Sequence, residues 1–171
     1  MATDPTQFYA VIAQIAAAFA GFGSIASGLG RRSGGDDARI DAHRLATMLV
    51  ASLSATLLGL LPATLAGLSL TDRSALGASS IVALVVIISY APAAVGRALK
   101  IRKVAGFSMA ANVANLSCLL IAVSAFSLCA LGLLQDRLAG LYLVGLMGLL
   151  GSSIVMFSRV IASMLRPHNE A

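Results

Sequence analysis

Polar side chains are scarce in this 171-residue chain, so the few that sit in apolar surroundings are where chemistry has to be sought. Ser108, Asn112 and Asn115 follow spacings of four and three, which places them on one face of a helix. Two amides in an apolar stretch must find partners, because an unsatisfied polar group in hydrocarbon is costly. They can grip a neighbouring helix, the preferred reading, or hold a polar solute. Arg159 is the one charge that falls inside an expected helical span, 138–163. Its side chain either reaches back to the head groups or turns inward to Asn112 and Asn115, where it would attract an anion.

A third set lies near the start of the chain. Ala10, Gln14, Ala17, Gly21, Ser24 and Gly28 repeat at four and three, and Ala13, Ala16, Ala20, Gly23 and Ser27 form an adjacent stripe. The larger Ile12, Ile15, Phe19, Phe22 and Leu29 are expected on the other side. In lipid, small residues let backbones approach closely, and packing then drives helix association. This helix is therefore expected to be either the central post of a bundle or a contact between protomers. The sharper alternative is a pore lined by Gln14, Ser24 and Ser27, with Phe19 or Phe22 as a constriction.

Other chemistries find no support. Asp, Glu, Lys and His are missing from the deep parts of every apolar run, so no proton relay or ion-coupling carboxylate is expected. His43 and His168 fall outside those runs, which removes the usual axial ligands of a membrane haem. Cys118 and Cys129 lack His or carboxylate partners for a metal, and on one helix they stand roughly 16 Å apart, too far to pair. They read as small packing groups. Asp36 and Asp37 belong to a Gly-Gly-Asp-Asp turn that begins a helix rather than to a catalytic pair. With no phosphate loop or Ser-His-Asp set, the chain is read as a non-enzyme that needs neither cofactor nor metal.

The elements that carry these residues follow from charge distribution. Only 11% of the chain is charged, against about 25% in soluble domains, and the mean hydropathy is +0.92. Charges vanish from Thr6 to Gly30, Leu45 to Leu70, Ser74 to Gly96, Val104 to Gln135 and Leu138 to Ser158. Each run meets the roughly 20 residues a helix needs to cross about 30 Å of hydrocarbon. The expected fold is an all-α membrane protein, a single domain and a bundle of five transmembrane helices at 8–29, 45–70, 75–96, 108–134 and 138–163. Phe8–Ala20 is read as a retained first helix, since no Lys or Arg precedes it to make a signal peptide.

Basic residues set the expected orientation. Arg31, Arg32, Arg39 and Arg44 follow the first run, Arg97, Lys100, Arg102 and Lys103 the third, and Arg166 the fifth. The intervening links carry one arginine each, Arg73 and Arg137, offset by Asp72 and Asp136. Alternation of this kind implies N-out and C-in, with the second helix extended into the cytoplasm from near Asp37. Phe8, Tyr9 and Tyr142 would mark the outer surface, Phe107 and Phe157 the inner one. The net charge of +5 is expected to meet anionic lipid head groups, chiefly at Arg31, Arg32, Arg97, Lys100, Arg102 and Lys103, and not nucleic acid.

Asp37, Asp72, Ser108 and Asp136 are expected helix caps, and Pro62 and Pro92 are expected to kink or shorten their helices. The matched Leu70-Thr71-Asp72-Arg73 and Leu134-Gln135-Asp136-Arg137 suggest a faint repeat of helices 2–3 and 4–5. The leading functional expectation is a bacterial-type inner-membrane protein that self-associates through its first helix as an oligomeric pore. The alternative is a non-catalytic accessory subunit of a larger membrane complex. A third is a facilitator of a small neutral solute, using Asn112, Asn115 and Gln14.

Overall fold

Five helices account for nearly all of the computed structural model, which describes residues 5–29, 36–101 and 108–164. They are α1 (Pro5–Leu29), α2 (Asp36–Gly67), α3 (Asp72–Ile101), α4 (Met109–Ala130) and α5 (Leu138–Met164), with a 3-10 turn at Gln135–Arg137. All five are long and apolar enough to cross a membrane. Even α4, the shortest at 22 residues, rises about 33 Å at ~1.5 Å per residue.

The distribution of side chains departs from a soluble protein's at both the surface and the helix contacts. Ser52, Ser79, Ser80, Ser152 and Ser153 are among the most deeply buried residues, while Leu57, Ile81, Ile88 and Leu120 lie on the surface. Small residues inside allow close helix approach, and large aliphatic ones outside meet lipid. So continuous an apolar exterior would not stay dispersed in water. The membrane reading thus rests on packing as well as on composition.

The element at the centre is α5, which touches all four other helices; α2 packs against α1, α3 and α5. Aromatic rings fill the middle of the end remote from Arg44 and Arg97: Tyr142 stands edge-on to both Tyr9 and Phe126 at centroid distances of 5.3 and 5.4 Å. Their hydroxyls tie helices together, with Tyr142 donating to the Leu58 carbonyl at 2.6 Å and Tyr9 to the Ala139 carbonyl at 3.0 Å. Where α1 crosses α2, a Cβ on Gly59 would stand 2.8 Å from the Tyr9 carbonyl oxygen and 3.0 Å from the Ala13 Cβ. Only a residue without a side chain fits there.

Helix ends differ from the expected ones in instructive ways. Ser108 does cap α4, accepting from the Ala111 amide. At the start of α3, however, Thr71 fills that role with its Oγ1 towards the Ser74 amide, and Asp72 is already helical. Asp136 sits inside the 3-10 turn rather than capping α5. The expected span to residue 134 overshoots, because Gly132 takes a left-handed φ of 66° and closes α4 at Ala130. Likewise α2 stops at Gly67, before the positive φ of Ser69. Pro62 and Pro92 end neither helix; α2 and α3 run on past them to Gly67 and Ile101. The expected cap at Asp37 has its side chain outside the described residues.

Candidate functional site

The polar face read on α4 becomes one wall of a cleft at the end of the bundle that carries Arg44, Arg97 and Arg159. Ser108 turns the chain into α4, and one turn later the Asn112 Nδ2 donates to the Ser108 carbonyl at 2.9 Å. Another turn on, Asn115 is 9% exposed and its Oδ1 accepts a short hydrogen bond from the Ser152 hydroxyl of α5. The amide of Asn115 therefore joins two helices, whereas that of Asn112 serves its own.

The opposite wall comes from the first turns of α2. His43 and Thr47 are one turn apart, with the Thr47 hydroxyl donating to the His43 carbonyl at 2.9 Å. His43 is only 7% exposed, and its Nδ1 has no hydrogen-bond partner among the described residues. Arg44 lies beside it, paired with Asp41 at 2.9 Å. Both Arg44 and Arg97 are close enough to act on the His43 imidazole electrostatically.

Two hollows flank these residues and share His43 and Asn112. The smaller lies between α2, α4 and α5, is lined also by Arg44, Ser108 and Arg159, and has a volume of about 10 Å³. That is space for one water. Arg159 thus faces inward on the Asn112 side, and its Nε is buried without a partner among the described residues. The larger hollow has a volume of about 160 Å³ and lies between α2, α3 and α4. His43, Thr47, Asn112 and Asn115 form its polar end, and Ala91, Ala94, Ala98, Leu116 and Leu119 line much of the remainder. Small alanines on α3 make the room.

Two features of the site escape sequence reasoning. His43 looks merely external when only hydrophobic runs are counted, although its spacing of four from Thr47 is visible in the sequence. Ser152 carries no sequence signal, because nothing sets it apart from other small residues on α5.

The α1 stripe does not meet this cleft. Gln14, Ala17, Gly21 and Ser24 all face outward from the bundle, and Gly28 lies in the last turn of α1. The inward face is instead Tyr9, Ile12, Ala13, Ala16 and Gly23. The first helix is therefore not the central post, and Ile12 is inside rather than with the outer large residues. The reason is the large side chains: Tyr9 and Ile12 reach the core, and Phe19 stacks edge-on with Phe157 at 5.2 Å. Nor does Gln14 share a site with Asn112 and Asn115. Of the expected head-group residues, Arg97 and Lys100 are exposed near the end of α3, while Arg31, Arg32, Arg102 and Lys103 lie outside the described residues.

Chemically, the cleft offers hydrogen-bond donors, acceptors and fixed positive charge. No Asp or Glu lines either hollow among the described residues. No family model matches the chain, and no curated protein or solved structure matches it either.

Proposed function

We propose that this chain is a small multi-pass protein of a bacterial-type inner membrane that self-associates through the outer face of α1, forming a ring with a passive polar path between copies. The observation that carries this reading is the position of Gln14. Its primary amide lies on the outside of the bundle, above the small residues Ala17, Gly21 and Ser24. An amide left in hydrocarbon is costly, and a second copy of the same face supplies both a hydrogen-bond partner and a surface without bulky side chains. A Cβ on Gly21 meets nothing within 4 Å in the protomer, so the absence of a side chain there serves no internal contact.

The interior argues for a path between copies rather than through one. Phe126, Tyr142, Met48 and Leu146 fill the middle of the bundle without accessible surface. Alternation of basic links supports N-out and C-in, which puts the end that carries Arg44, Arg97 and Arg159, with the start of α2, in the cytoplasm.

Native mass spectrometry of the detergent-purified chain tests the assembly, and ion flux into liposomes tests the path. A closed ring with measurable flux is expected. A monomer, or a fixed-ratio complex with a different protein on the α1 face, would refute self-association; a ring in tight liposomes would leave the assembly and remove the pore.

A further inference from the structure

The larger hollow is mismatched to a soluble ligand. Its polar end holds His43 and Asn112, yet Val95, Leu99, Met109 and Leu116, which also line it, are exposed on the apolar exterior of the bundle. The mouth therefore opens sideways, between α3 and α4, where hydrocarbon chains lie. A molecule that enters from that side has an apolar part and finds the polar groups only at one end.

Cations beside the polar end, though none among the described residues lines the hollow itself, bias the sign of the group it receives. The imidazole of His43 is more than nine-tenths buried and its Nδ1 is unpartnered among the described residues, on the wall of the hollow. Arg44 and Arg97 act on it electrostatically, and the Arg159 guanidinium stands across the shared Asn112 in the adjoining hollow. Among the described residues the nearby carboxylate, Asp41, pairs with Arg44 at 2.9 Å, which leaves Arg97 and Arg159 to supply the positive charge. Fixed positive charge at the edge of a low-dielectric region attracts an anion far more strongly than it would in water.

We infer that this hollow binds one anionic phospholipid. Its phosphodiester sits against His43 and Asn112, and part of one acyl chain occupies the groove along Ala91, Ala94 and Ala98. About 160 Å³ accommodates only part of such a chain; the remainder stays in the bilayer through the open side. The site is separate from the α1 face, so it stands whether or not the protein assembles into a ring. It also differs from general head-group attraction to a basic rim, because it has a stoichiometry and an apolar pocket.

The test uses the full chain in detergent, titrated with dioleoyl phosphatidylglycerol, with dioleoyl phosphatidylcholine, and with inorganic phosphate, read by native mass spectrometry. One phosphatidylglycerol per chain is expected, retained about tenfold better than phosphatidylcholine, a difference equal to roughly 1.4 kcal/mol. His43→Ala and, separately, Ala98→Phe, which fills the groove from a half-buried position, should each abolish that preference. If His43→Ala fails to fold, Ala98→Phe alone decides. Equal retention of the two lipids overturns the inference, as does full phosphatidylglycerol occupancy in Ala98→Phe. Binding of phosphate alone with no gain from the acyl chains overturns it too, and marks a free-anion site instead.

Discussion

Asn115 and Ser152 illustrate what a polar residue does when its surroundings give it no water. The hydroxyl of one and the amide oxygen of the other satisfy each other across α4 and α5. Such bonds in membrane proteins average only about 0.6 kcal/mol in double-mutant cycles, because the unfolded chain in lipid also finds partners. Asn115→Ala, Ser152→Ala and the double variant, unfolded in mixed detergent, should therefore give a coupling energy of about 0.5–1.5 kcal/mol. Zero coupling would show that the two groups do not bond. That amides at 112 and 115 need partners follows from their residue types and the apolar run around them. That one bonds locally and the other across helices does not, since Ser152 is chosen by the rotation of α5 and not by its identity.

Helices of this protein are set against one another by missing side chains. A Cβ on Gly148 of α5 would lie 2.8 Å from the Cys118 carbonyl oxygen and 3.0 Å from the Ala122 Cβ of α4. Backbone cannot yield as a side-chain tip can, so Gly148→Val should cost about 1–3 kcal/mol by overpacking, measured as a lower melting temperature in detergent. Gly21→Leu offers the opposite outcome. With nothing within 4 Å in the protomer, it should leave the melting temperature of the monomer unchanged while weakening association; native mass spectra over a dilution series would separate the two effects. A drop in monomer stability would mean that Gly21 faces inward after all.

The lengths and positions of the five helices are legible in the uncharged runs, because hydrocarbon thickness imposes them. Their last turns are less so. Thr71 and Asp72 are both acceptable caps, and only the path of the chain out of α2 selects the first. Proline is a poor guide to helix ends in an apolar bundle, where neighbouring groups can satisfy the carbonyl it frees; α2 and α3 both continue past theirs. The two small-residue stripes of α1 lie one residue apart, about 100° around the helix at 3.6 residues per turn. Either could have faced the core. Tyr9, Ile12 and Phe19 decide between them, since their bulk is buried against α5 and α2 and carries the Ala13–Gly23 stripe inward.

At the scale of the whole molecule, the antiparallel helices place the starts of α2 and α4 with the ends of α1, α3 and α5 at one face. Orientation in the membrane follows from the basic links, and it can be read with reagents that do not cross lipid. On intact cells, an impermeant maleimide should label Ser74→Cys, which is exposed at the start of α3, and should spare Met109→Cys at the start of α4. Permeabilisation should make the second reactive. The reverse pattern would invert the topology and move the cleft to the other side. Oligomeric assembly belongs to this scale too: Gln14→Leu removes the amide that lies among the small residues of the outer face of α1, seven residues on from the exposed Gln7, and ring masses should give way to smaller species.

Because hydroxyls and rings bind the helices to one another from within, the exterior contributes little to the shape of the bundle. Leu53, Leu57, Leu60, Ile81, Val85, Ile88, Leu120 and Ile121 are each half or more exposed, so their identity is dictated largely by the solvent. A redesigned coat of glutamate and lysine at such positions, with Ser52, Ser79, Tyr142 and Ser152 untouched, should yield a version that folds in plain buffer. The same arrangement that confines the native chain to a bilayer makes it a natural candidate for transfer out of one.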